Sequence, residues 1–147
     1  MQLLSILRMA SGASLWRGLD YVEQGRVKNL RPDGKGAFDA EVEGSANLPY
    51  TVHVDTAHVR QSYCDCSHAA GTRRICKHMV ATVFAAYPQQ IDAFKWEAEQ
   101  AELEYRREEA AHRAELIRYV NSLKKGELRK ALLDALIELE ERRDRWW

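Results

Sequence analysis

The chain lacks several features that mark membrane, secreted or strongly nucleic-acid-binding proteins. Its 147 residues contain no apolar run close to the roughly 20 residues that a membrane-spanning helix needs. The first apolar stretch is short and reaches a charge at Arg8, so it does not predict a secretory signal peptide. Basic and acidic residues number 22 each, which is not the strongly basic balance of a stand-alone DNA-binding protein. These absences favour a cytoplasmic protein.

Cysteine is scarce, and all of it lies in one short segment. The chain has only three cysteines, at positions 64, 66 and 76, and His78 follows two residues after the last. A disulfide would leave one of the three thiols unpaired, and a cytoplasmic protein keeps its thiols reduced. A catalytic Cys–His pair is a further alternative, but a nucleophile does not need two more thiols beside it. Three thiols and an imidazole at close spacing suit Zn²⁺.

The spacing of these residues predicts how they would meet. Residues i and i+2 of a strand point to the same side, so Cys64 and Cys66 can both face one ion if they end a strand. On a helix the same spacing points side chains apart. An apolar run follows His78, so we expect Cys76 just before a helix and His78 in its first turn. His68 also stands at strand spacing from Cys66 and is an alternative ligand, although we expect it in the loop or beside the site.

Turn signals and alternating apolar residues predict an α+β fold. Residues 13–24 read as a short helix that Ser14 caps and Gly25 ends. Four strand-like segments follow and predict a small antiparallel β-meander whose end meets a helix at the zinc site. The predicted strands are 27–31, 38–43, 50–55 and 58–66, and the helix is 77–87.

The composition changes after Pro88. Residues 90–121 are rich in helix-forming Ala, Glu, Arg and Gln, and a turn is expected at 122–126. A second helix then carries an apolar stripe from Leu128 to Leu139. These features predict a C-terminal helical hairpin and, with the predicted zinc-binding part before it, two domains at 1–87 and 88–147. The charged, partly apolar helices could also bind a protein partner or form a homodimer.

Two segments upstream of the cysteines support a family resemblance. Residues 17–27 read RGLDYVEQGRV, and 42–45 (VEGS) precede 50–52 (YTV). Together with the order Cys-x-Cys … Cys-x-His and the helix after it, they resemble the SWIM zinc finger of bacterial proteins over about residues 13–87. The resemblance implies that Cys64, Cys66, Cys76 and His78 bind the zinc. Ser67-His68 departs from the Pro-Tyr that often follows the second cysteine, which puts the loop conformation in question.

The resemblance implies binding to DNA or to proteins without choosing between them. Arg73, Arg74 and Lys77 surround the second ligand pair and would be the nucleic-acid contacts. Against this, residues 1–87 hold 10 basic and 8 acidic residues, and 88–147 hold 12 and 14. A zinc ion with four protein ligands has no open position for catalysis, so we interpret the zinc as structural and the protein as non-enzymatic. The predicted function is to mediate protein interaction, and nucleic-acid binding is the alternative.

Overall fold

The structure is a computed structural model that describes residues 2–146. It divides into two compact units, Met1–Ala98 and Glu99–Trp147. The first unit contains a four-stranded antiparallel sheet and short helices, and the second consists of long helices. This confirms the predicted fold class in its sheet, its strand–helix junction and its long C-terminal helices.

The sheet is a meander with the strand order β1-β2-β3-β4. Its long strands are β1 (Val27–Pro32), β2 (Ala37–Val42) and β3 (Tyr50–Asp55), all within about a residue of the predicted segments. Val42, Val52 and Val54 are fully buried, which accounts for the alternation of apolar and polar residues in β2 and β3. The sheet therefore presents one apolar face to the core.

The last predicted strand, residues 58–66, is mostly not a strand. Val59–Gln61 forms a 3₁₀ turn, and β4 is only Tyr63–Cys64. The cause is Asp55, whose carboxylate accepts hydrogen bonds from the backbone N–H groups of Ala57 and His58 at 2.9 and 2.8 Å. An aspartate that bonds the backbone just ahead of it favours a turn over a continuing strand.

The first unit also has three helices, of which the third packs on the sheet and the first two pack on the third. They are α1 (Ser5–Arg8), α2 (Gly12–Glu23) and α3 (Lys77–Ala86). The N-cap of α2 is Ser11, which accepts from the Ser14 N–H at 3.1 Å, so the prediction that Ser14 is the cap is wrong. The core side chains with no exposed surface include Ile6, Leu7, Val42, Val52, Val54, Val80, Val83 and Phe84.

Two long helices complete the chain. Helix α4 covers Gln89–Ser122, and α5 covers Lys125–Asp144. Near its start α4 buries Gln90, Ala93 and Phe94, whereas α5 has no buried residue. The leucine stripe of α5, expected to pack within a hairpin, is exposed. Among residues 2–146, no helix is both long enough and apolar enough to cross a bilayer.

Candidate metal centre

The four predicted ligands come together where β4 meets α3. Cys64 ends β4, Cys66 lies two residues later, Cys76 is the N-cap residue of α3, and His78 lies in the first turn of that helix. All four are buried, with at most 3% of each residue exposed. Their ligand atoms lie within 4.8 Å of one another. The spacing in the sequence thus correctly predicts where these residues lie: at a strand end and at the start of the next helix.

The distances match those of a tetrahedral zinc site. His78 Nδ1 lies 3.7 Å from Cys64 Sγ and 3.8 Å from Cys76 Sγ. With Zn–S bonds of about 2.3 Å and Zn–N bonds of about 2.0–2.1 Å, a tetrahedron places nitrogen and sulfur about 3.6 Å apart, close to both observed distances. The donor set of three sulfurs and one imidazole nitrogen thus fits Zn²⁺ in chemistry and in size.

Three hydrogen bonds, one accepted by a side chain and two within the backbone, hold the Cys-x-Cys segment and the helix start in place. The Asp65 carboxylate accepts from the Thr51 N–H at 2.9 Å, which ties the segment to β3. The Cys66 carbonyl accepts from the Ala70 N–H at 2.8 Å and so begins the loop. The Cys76 carbonyl accepts from the Val80 N–H at 3.1 Å, the first bond of α3. The ligands are therefore positioned by secondary structure and a turn.

The thiols of Cys64 and Cys76 interact strongly. A hydrogen bond from Cys64, with a further one from His78, lowers the pKa of the Cys76 thiol to about 4. The same bond to Cys76, with burial, raises the pKa of the Cys64 thiol above its ordinary value. Because a cysteine binds a metal as its thiolate, zinc binding at this cluster would release protons and depend on pH.

Two tyrosine rings enclose the imidazole of His78. Tyr50 stacks on it with ring centroids 4.4 Å apart, and Tyr21 lies tilted at 5.5 Å. Nδ1 faces the sulfurs, while Nε2 is buried and has no hydrogen-bond partner among residues 2–146. Ring packing, not an outer hydrogen bond, holds the imidazole with Nδ1 towards the sulfurs. Sequence reasoning missed both tyrosines as neighbours of the site, because only the fold brings them to His78.

His68 lies outside the group of four. It is exposed and lines a cavity of about 200 Å³ beside Cys66 and Cys76, together with Arg17 and Lys77. The four residues of the cluster offer the four donors of a tetrahedral site without it. Its place in the loop agrees with the expectation that it lies beside the site.

The three basic residues predicted to contact nucleic acid have different surroundings. Arg73 lines a depression with Arg60, and Arg74 lines another with His68. The Nζ of Lys77 lies 4.9 Å from the ring centroid of Tyr21. The two arginines are exposed, whereas Lys77 is only partly so.

The comparisons with known proteins agree with this geometry. Residues 50–87 match the family model described as SWIM zinc finger, and all four cluster residues lie within that segment. Neither the curated proteins nor the solved structures gave a match. The match confirms the predicted SWIM zinc finger over residues 50–87 of the roughly 13–87 expected, and Zn²⁺ is the cofactor that the family match and the cluster both support.

Proposed function

We propose that this protein is a non-enzymatic interaction module whose SWIM zinc finger holds a structural Zn²⁺ through Cys64, Cys66, Cys76 and His78. The observation that carries the proposal is the burial of four zinc-type donors within 4.8 Å of one another at the β4–α3 junction. Bound there, Zn²⁺ would supply a cross-link and no chemistry, because four protein ligands complete its tetrahedron.

The cross-link has a clear structural purpose. The strand β4 is only Tyr63–Cys64, and the loop from Ser67 to Ile75 contains no helix or strand. A small sheet supplies limited core, and a metal that binds only the folded state adds its binding free energy to stability. The metal would therefore hold the loop and the start of α3 in the form that a partner contacts.

A protein is the partner class that the chain favours. The net charge is zero, and Lys77 packs over the Tyr21 ring instead of extending freely to solvent. Apolar side chains are exposed along α4 and α5, as at surfaces that bind other proteins. Self-association through these C-terminal helices is one form of such binding. We also propose a cytoplasmic location, because three neighbouring thiols stay reduced there. The proposed domains are the zinc-finger domain at 1–87 and the helical extension at 88–147.

Nucleic-acid binding is the second candidate. Its support is the exposure of Arg73 and Arg74 beside the start of α3, where backbone N–H groups favour anions. Binding of this kind weakens steeply with salt, since it releases counterions from phosphates. Arg73→Ala with Arg74→Ala should then abolish a DNA or RNA gel shift at low salt. No shift by the unaltered protein under those conditions would exclude this candidate.

A matched pair of histidine variants tests the metal assignment. His78→Ala removes one of the four donors, and His68→Ala removes an exposed imidazole from the neighbouring loop. In a competition titration with a zinc chelator, His78→Ala should bind zinc more weakly by at least about tenfold. His68→Ala should bind like the unaltered protein. Equal affinities of the two variants, or a larger loss for His68→Ala, would contradict the assignment.

A further inference from the structure

Three depressions adjoin one another on the surface of the first unit. The first, of about 200 Å³, lies beside the metal cluster. The second, of about 300 Å³, shares Ser11 and His68 with the first. The third, of about 190 Å³, shares Met9 and Ile75 with the second. The three therefore follow one another as a single groove, which we call the basic groove.

The basic groove is lined by cations and, among residues 2–146, by no acidic side chain. None of its five cations forms an ion pair within the same part of the chain. Zinc bound by three thiolates carries a net charge of about −1, so the groove stays strongly positive when the metal is bound. In a chain of zero net charge, this concentration of one sign favours an anionic partner. The five cations are Arg17, Arg60, Arg73, Arg74 and Lys77.

The sequence around the groove shows the same separation of charge. The lining residues come from segments 9–17, 59–62 and 66–78, and none of these segments contains an aspartate or a glutamate. Asp55 and Asp65, which precede the last two segments, use their carboxylates elsewhere. Asp55 accepts hydrogen bonds from the backbone N–H groups of Ala57 and His58, and Asp65 accepts one from the Thr51 N–H.

The shape and the lining of the groove favour a peptide over a nucleic acid. No Phe, Tyr or Trp of residues 2–146 lines it, so it offers no ring of these types on which the bases of a single strand could stack. Helix α3 begins beside the groove, but its residues from His78 to Phe84 are buried, so it cannot enter the major groove of a duplex. Helix α2 has Arg17 as its only basic residue and also carries Asp20 and Glu23.

We propose that the basic groove binds an extended acidic segment of a protein partner, with Asp and Glu carboxylates facing the five cations. The inference rests on the protein-binding role proposed above and names the chemistry of the partner. Four of the five cations are arginines, whose guanidinium groups pair with carboxylates through two parallel hydrogen bonds. Met9 lines two of the depressions and is 56% exposed, so it offers the peptide an apolar contact.

The metal cluster holds most of these cations in place. Arg73 and Arg74 lie in the loop between Cys66 and Cys76, and Lys77 directly follows Cys76. A metal that binds both ligand pairs fixes the two ends of this loop. Zinc would thus order the groove without touching the peptide.

Fluorescence anisotropy with the zinc-loaded full chain tests the groove. The probe is a short fluorescein-labelled peptide that alternates Glu and Ser, because every second side chain of an extended chain faces the same side. The unaltered protein should bind this peptide at low salt and bind the matching Gln-Ser peptide at least about tenfold more weakly. Its affinity for the Glu-Ser peptide should fall as the salt concentration rises.

Two double charge reversals locate the binding. Arg73→Glu with Arg74→Glu sets like charges against the peptide and should weaken binding at least about tenfold. Arg31→Glu with Lys35→Glu changes the net charge by the same amount at the end of β1 and in the turn after it, outside the groove, and should bind nearly as the unaltered protein does. Circular dichroism and zinc content show that each variant is folded and loaded.

A loss of binding confined to the groove variant supports the inference. No binding of the Glu-Ser peptide by the unaltered protein, or equal losses in the two variants, would overturn it. A labelled oligothymidine strand that binds more tightly than the peptide, and that loses affinity in the groove variant, would also overturn it and assign the groove to nucleic acid. Protein with one zinc per chain that ignores the peptide refutes the groove and leaves the metal proposal standing, whereas folded, metal-free protein refutes the metal proposal.

Discussion

One added methyl group at Gly18 tests how closely α2 and α3 pack. A Cβ on Gly18 would collide with the Val80 side chain and would lie 3.0 Å from the Lys77 carbonyl oxygen. Val80 has no exposed surface, and the carbonyl belongs to the backbone of α3 next to His78. Neither neighbour can move without shifting the densely packed core, so Gly18→Ala should strain α3, whose start holds Cys76 and His78 of the cluster.

The size of the effect follows from comparison with a glycine in the same helix. Gly12 has no atom within 4 Å of the position that a Cβ would take. Overpacking in a core typically costs about 1–3 kcal/mol. Gly18 lies inside α2 and Gly12 at its first position, so only part of the gain in helix propensity cancels between the two substitutions. We therefore expect Gly18→Ala to be about 1–3 kcal/mol less stable than Gly12→Ala.

Urea denaturation of the zinc-loaded protein measures both free energies of unfolding. Val80→Ala removes the side chain that the new methyl group meets. The double variant Gly18→Ala, Val80→Ala should therefore lose less stability than the two single variants combined, by about 1 kcal/mol. If Gly18→Ala were as stable as Gly12→Ala, and no coupling with Val80 appeared, the close packing of α2 on α3 would be refuted.

Two further predictions concern groups around the metal site and the sheet. Tyr50→Ala removes the ring stacked on His78 and should weaken zinc binding by about tenfold, whereas Tyr50→Phe keeps the ring and should bind zinc like the unaltered protein. Equal zinc affinities of the two variants in a chelator competition would contradict this. Hydrogen bonds from the backbone N–H groups of His58, chiefly, and Ala57 lower the pKa of Asp55 below 3.8. The ionised carboxylate therefore stabilises the fold above that pH, and the contribution is lost as the pH falls through the lowered pKa. Melting temperatures across the acid range should fall more for the unaltered protein than for Asp55→Asn, and parallel curves would count against the argument.

The metal centre could be predicted because its information is local. Two ligand pairs at i, i+2 spacing, one ending a strand and one beginning a helix, define the junction without long-range contacts. The strands β2 and β3 were predictable for the same reason, since one apolar face and one polar face leave a period of two in the sequence. Their observed bounds are Ala37–Val42 and Tyr50–Asp55.

Other parts depend on contacts that the sequence does not reveal. Leu3, Ile6 and Leu7 are core residues, yet α1 is too short to leave a helical period. Tyr21 and Tyr50 are distant from His78 in the sequence and contact its ring only in the folded protein. A leucine stripe likewise predicts an amphipathic α5 without saying what covers it.

The central claim is that one zinc ion holds the β4–α3 junction together. The most direct measurement is the zinc content of the purified, reduced protein, taken with thermal unfolding before and after chelation. The account predicts one zinc per chain and, after its removal, loss of the folded sheet unit, with recovery when zinc is returned. Reduced protein that contains no metal and melts at the same temperature with or without added zinc would contradict it.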